Sequence, residues 1–150
     1  MKKLISCVIL VAILLSVFSI GCFAEEIKEN VTYLENGSYI IDTIVEFKGR
    51  TSGSVNGSRT KSYYDANGNL DWKAVLNGSF TYTGSSATCT SSSVSVTVYD
   101  SAWYTIFKTA SKSGNTASAS VTMGCKELGI TVDRVTIPIS LTCDKDGNLS

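Results

Sequence analysis

Apolar residues in this chain recur at every second position rather than every third or fourth. Tyr39, Ile41, Thr43, Val45 and Phe47 share one parity, as do Val94, Val96 and Val98, then Ala117, Ala119, Val121 and Met123, then Val135, Ile137, Ile139, Leu141 and Cys143. A period of two marks strands whose alternate side chains enter a core while their neighbours face water. No apolar period near 3.6 persists for three helical turns, so the expected fold class is all-β.

Turn residues punctuate these runs at Asn36-Gly37, Asn56-Gly57, Asn67-Gly68, Ser113-Gly114-Asn115 and Leu128-Gly129, each a pairing that favours tight reversals. Asn77-Gly78 is different. A hairpin there would set Trp72, Ala74 and Leu76 opposite Thr83, Thr81 and Ser79, whereas unbroken alternation gives Trp72, Ala74, Leu76, Gly78, Phe80 and Tyr82 one face. One long strand over 69–83 is therefore expected, with Gly78 as a bend or close-approach point. The parity change between Val132 and Val135 suggests a bulge near Asp133-Arg134, and Pro138 marks the last strand as an edge. Seven to eight antiparallel strands in a β-sandwich satisfy the pattern best; an up-and-down meander barrel remains the alternative.

The first segment follows a different pattern altogether. Met1-Lys2-Lys3 is a cationic head, and Leu4 to Gly21 is apolar apart from serines and a glycine, which reads as a secretory signal. Cys22-Phe23-Ala24 places small residues where a signal peptidase requires them, so cleavage is expected between Ala24 and Glu25, leaving 25–150 as one secreted β domain. Lipidation of Cys22 is one alternative and an uncleaved anchor another, although eighteen helical residues reach only about 27 Å, barely a bilayer core. The expected location is secreted, extracellular or cell-surface, with membrane contact only through this segment or a lipid anchor.

Composition narrows the chemistry. The chain carries 13 Lys+Arg, 13 Asp+Glu and no histidine, which removes His-dependent catalytic triads, His-ligated zinc and imidazole pH switches. Residues 25–150 hold 11 basic and 13 acidic groups, too little charge to draw nucleic acid. Of the same residues 35 are Ser or Thr, which suits strands and turns but gives no nucleophile an identity without a base. No cofactor is implied and no enzyme is expected.

Cys7 and Cys22 lie in the signal segment, so Cys89, Cys125 and Cys143 remain, an odd number in a compartment that permits disulfides. Cys89 and Cys143 each sit in a strand pattern, ATC and LTC, and a structural bridge between them is expected, with Cys125 as the free thiol. Asp65, Asn67, Asn69 and Asp71 alternate as calcium ligands do, echoed by Asp144-Lys145-Asp146-Gly147-Asn148. Yet the glycine stands fourth where an EF-hand loop needs it sixth, and position twelve is Leu76; a self-capped turn is the preferred reading. Tyr63-Tyr64 and Trp103-Tyr104 are adjacent pairs, and in a strand one member of each faces outward. Tyr64, Trp103 and Tyr104 are thus the candidate ligand-facing aromatics.

The pieces SYYDANGNLDWKAVLNGSFTYTGSSATCTSSS, KSGNTASASVTM and SLTCDKDGNLS together resemble a group of short, signal-bearing, uncharacterised proteins of Gram-positive anaerobic bacteria. The resemblance implies a secreted all-β protein in which Cys89 and Cys143 match paired positions and Cys125 is a departure. It implies no activity. The expected function is therefore a non-catalytic secreted or cell-envelope interaction or structural module whose partner is a cell-wall or host glycan or an envelope protein. A carbohydrate-binding module and a small secreted antagonist or inhibitor are the alternatives.

Overall fold

A computed structural model of the chain describes residues 25–48 and 53–150. Eight strands follow one another: β1 Glu25–Tyr33, β2 Tyr39–Lys48, β3 Ser54–Tyr64, β4 Leu70–Tyr82, β5 Ala87–Val98, β6 Trp103–Ser113, β7 Thr116–Glu127 and β8 Ile130–Thr142. All pairings are antiparallel between sequence neighbours, giving a five-stranded sheet β1-β2-β3-β4-β5 and a three-stranded sheet β6-β7-β8. The two sheets face each other without closing into a barrel, so the sandwich holds and the meander barrel does not.

The core lies between β4 and the smaller sheet. Trp72, Ala74, Leu76 and Phe80 of β4 meet Ala117, Ala119, Val121 and Met123 of β7 and Ile137, Ile139 and Leu141 of β8, all buried. Val94 and Val96 of β5 and Val135 of β8 pack against it, on the parity that alternation predicts. The long β4 runs straight through Asn77-Gly78. The ring of Phe80 folds over Gly78, where a Cβ would stand 2.7 Å from a ring carbon, and the register shifts between Ser79 and Phe80. A second shift separates Cys125 from Lys126 opposite Thr131 and Asp133, which leaves Val132 unpaired, close to the expected bulge. Pro138 sits on the edge strand β8, where its missing N–H costs nothing.

Two expectations fail within the larger sheet. Asn56-Gly57 is no turn: both residues lie inside β3, paired with Phe47 and Glu46. Gly57 is the seat for Leu149, whose side chain would overlap any Cβ there. The second failure concerns β2. Tyr39, Ile41, Thr43, Val45 and Phe47 point away from the core, while Ile40 and Ile44 pack against it and Glu46 is 2% exposed. The larger sheet extends beyond the smaller one, so the inward row of β2 alternates Ile40 and Ile44 with Asp42 and Glu46 and carries little apolar signal. The outward row is the more apolar, reversing the usual reading of alternation.

Candidate functional site

The register of the first three strands brings Tyr33, Tyr39 and Tyr64 into one row on the outer face of the larger sheet. The turn over 34–38 pairs Tyr33 with Tyr39, and β3 pairs Tyr64 with Tyr39. Tyr39 and Tyr64 stack at 4.9 Å between centroids and 3° between planes; Tyr33 tilts at 44° against Tyr39 at 5.6 Å. Tyr33 closes the row and is 76% exposed. Along the same face run Ile27, Val31 and Phe47, all exposed, with Ile41 and Val45 half-buried between them. Such a contiguous apolar stripe beside an aromatic row is uncommon on a chain that meets no partner. At the far side of the face the exposed Tyr99 ring lies 5.7 Å from Lys73 Nζ.

The tyrosine pair 63–64 shows how alternation splits neighbours. Tyr64 goes out and Tyr63 goes in, stacking on Trp72 at 5.2 Å and donating its hydroxyl to Ser38 Oγ at 2.9 Å. Ser38 in turn donates to Asn36 Oδ1 at 2.5 Å, which ties the β1–β2 turn to the core. The pair 103–104 splits the same way. Trp103 is 8% exposed, packs on Tyr63 and Trp72 at 5.1 and 6.0 Å, and donates Nε1–H to Asp71 Oδ2 at 3.0 Å. It is a core residue and not a ligand-facing one, because its indole both fills the aromatic cluster and satisfies a buried carboxylate. Tyr104 faces outward on the smaller sheet. Its hydroxyl shares a hydrogen bond with Thr131 Oγ1 at 2.7 Å and Lys126 Nζ stands 4.3 Å over its ring.

The calcium candidate stretch folds as a self-capped turn. Asp65 Oδ1 accepts from the backbone N–H groups of Asn67 and Asn69, and its Oδ2 from Asn69 Nδ2. Asp144 repeats this with Asp146 and Asn148. Hydrogen bonds from Asn69 hold Asp65 below the ordinary carboxylate value, and those from Asn148 do the same for Asp144. Asp71 points away from the loop toward Trp103. The alternating oxygens therefore serve the backbone, which explains the glycine in fourth place. Among the described residues no group of three or more His, Cys, Asp or Glu gathers as a metal site would.

In this structure Cys89, Cys125 and Cys143 are all free thiols, and the expected Cys89–Cys143 bridge is not seen in it. The β6–β7 turn is hydrogen-bonded to both chain segments instead, Cys89 N–H donating to Gly114 O at 2.8 Å and Cys143 N–H to Asn115 O at 3.0 Å. Each sulfur turns to a main-chain carbonyl, of Ser91 and of Asp144 respectively. Burial pushes the Cys143 thiol up to about 11 and raises Cys89 and Cys125 as well, which disfavours the thiolate that nucleophilic chemistry needs. The expected signal segment, with its cleavage residue Ala24 and Cys22, lies outside the described residues; Glu25 opens β1.

On the inner face, where the larger sheet overhangs, Arg59 grips Asp42 through Nε and Nη2 at 2.9 and 2.8 Å and donates Nη1–H to Ser140 O at 2.8 Å. Lys61 stands 3.8 Å from the same carboxylate. An open cavity of about 100 Å³ beside them is lined by Lys28, Glu29, Asn30, Asp42, Ile44 and Arg59. Of its charges Arg59 and Asp42 pair with each other and Lys28 donates to Leu149 O, and inward charges near a sheet edge discourage edge-to-edge pairing. The outer row is the stronger candidate. Its members Tyr33 and Tyr39 escape a reading of adjacent pairs because they come from different strands, although a turn centred on Asn36-Gly37 already sets them opposite each other. A scan against protein-family models finds no match, and searches of curated proteins and of solved structures find none either.

Proposed function

We propose that the protein is a non-catalytic interaction module acting outside the cytoplasm, in secreted form or at the cell envelope, and that it meets its partner through the outer face of the five-stranded sheet. The observation that carries this reading is the tyrosine row Tyr33–Tyr39–Tyr64 continuing into the exposed stripe of Ile27, Val31 and Phe47. Burying such a stripe contributes roughly 25 cal/mol per Å² of apolar surface, and exposed tyrosines bring contact area at low entropy cost. A partner protein suits this face better than a glycan. Tyr39 and Tyr64 stack on each other and Tyr33 tilts against Tyr39, so both faces of the central ring are engaged within the row and closed to a sugar. The carbohydrate reading retains one supporting observation, the uncovered ring of Tyr33 at the open end of the row.

Retention on the envelope fraction of the producing cell tests this. Wild-type protein is expected to be retained, and a Tyr33→Ser, Phe47→Ser variant to be lost from it. Protease treatment of the envelope should abolish retention if the partner is protein, and glycan hydrolysis if it is carbohydrate. Equal retention of wild type and variant overturns the proposal.

A further inference from the structure

The β7–β8 hairpin ends on Leu128-Gly129, and among the described residues Leu128 is the one non-glycine with positive φ, at 48°. Both turn residues are left-handed, the type of reversal that asks most strongly for Asn, Asp or Gly in first place. At the other two-residue hairpin turn, between β6 and β7, the left-handed first place is filled by a glycine, Gly114 at 56°. Here the chain places a leucine that is fully exposed at 103% and pays backbone strain for no contact within the fold. Ile130 and Val132 follow at 70% and 54%. All residues from 126 to 134 are exposed, so the tip is a two-stranded ribbon standing beyond the sandwich.

Charge is distributed around it by face. Register puts Glu127 and Ile130 on one side with Asp133 and Cys125, and Lys126 and Thr131 on the other with Tyr104. Asp133 stands opposite Cys125, Glu127 follows two residues on, and Lys126 N–H donates to Ala102 O in the turn that carries Asp100, so three carboxylates gather about the base of the ribbon. The cations Lys126, engaged with the Tyr104 ring, and Arg134, opposite Gly124, lie on the other side. An aliphatic tip above a carboxylate cluster complements a pocket with a basic rim. Anionic envelope lipid would be repelled by the same cluster.

We infer that the β7–β8 tip is an anchoring finger by which the module docks on a basic partner protein, Leu128 entering an apolar pocket while Glu127, Asp133 and Asp100 pair with its cationic rim. This rests on the interaction reading above, but it assigns a second, separate contact. The fold places the turn after β7 at the same end of the molecule as the turns after β1, β3 and β5, so Tyr33 and Leu128 can engage one partner together.

The test is photo-crosslinking in the producing cell, with a benzophenone amino acid in place of Leu128, of Tyr33, or of Ser85 at the opposite end. A protein adduct is expected at 128 and not at 85; it should vanish at high salt and in a Glu127→Lys, Asp133→Lys variant that keeps its strand circular dichroism. For the purified crosslinked partner, Leu128→Asn should weaken binding roughly ten-fold or more while leaving Tm unchanged or higher, since Asn tolerates the left-handed turn. That opposition separates docking from a structural role. No adduct at 128, an adduct with lipid or with a second copy of the chain, or one indifferent to salt and charge reversal overturns the inference. Adducts at 33 without 128 overturn it and leave the aromatic-row reading standing; adducts at neither position overturn both.

Discussion

Trp103 donates its indole N–H to the buried carboxylate of Asp71 at 3.0 Å, joining β6 of one sheet to β4 of the other. Burial holds Asp71 above the ordinary value of 3.8; the Trp103 hydrogen bond opposes this, and Asp100 and Asp65 add to it. The folded protein therefore holds this proton where the unfolded chain has lost it, and stability falls as pH rises from about 3.8 through the raised folded value. Asp65 and Asp144 behave oppositely. Their lowered values contribute stability above 3.8 that is lost as pH falls through them. Asp71→Asn, which keeps an acceptor for Trp103, should flatten the fall on the high side and leave the acid limb intact. Urea midpoints measured against pH read this directly, and an unchanged profile would refute the assignment.

Leu149 closes the open side of the sandwich. Its side chain is buried against Gly57 and Leu141, its N–H donates to Glu46 Oε2 at 3.3 Å and its carbonyl accepts from Lys28 Nζ at 3.0 Å. Leu149→Ala should cost about 2–5 kcal/mol, as buried leucine truncations do. Gly57→Ala should be destabilising too, since its Cβ would meet Leu149 and stand 2.9 Å from Val45 O. Equilibrium unfolding of both variants checks the seat; a wild-type midpoint for either would contradict it.

The thiols offer a third test. Cys89 and Cys143 are buried and Cys125 is half-buried, all with raised values. Alkylation of the native protein at neutral pH should label Cys125 first and slowly, and after unfolding without reductant all three should react. Labelling of one residue alone in the unfolded chain would show that Cys89 and Cys143 are bridged in the protein as made.

Calcium should do nothing. With Asp65 committed to the N–H groups of Asn67 and Asn69, and Asp71 to Trp103, millimolar calcium is expected to leave the thermal unfolding curve in place. A rise in Tm on adding calcium, reversed by chelation, would restore the metal reading of the loop.

Period-two patterning was sufficient for the strands that border the core on one face and water on the other. Val121 and Leu141 announce their direction because both neighbours of each are polar. The same logic misdirects at β2, where overhang leaves Asp42 and Glu46 among the inward residues and an apolar stripe outside; nothing local to that strand reveals what the second sheet leaves uncovered. Asn56-Gly57 misleads for a related reason, since its glycine answers to Leu149, ninety-two positions away in the chain. Of the candidate aromatics, Tyr64 and Tyr104 follow from alternation, while the exclusion of Trp103 depends on a partner carboxylate one sheet away. The tyrosine row required cross-strand register, which turn position fixes for Tyr33 and Tyr39 and which tertiary pairing fixes for Tyr64.

Hydrogen exchange on the protein bound to the envelope fraction that retains it, compared with the free protein, examines the recognition face itself. Slowed exchange is expected across residues 25–48, where β1 has an open edge and β2 carries the stripe. Exchange in those residues that is the same free and bound would contradict it, whatever protection arises elsewhere.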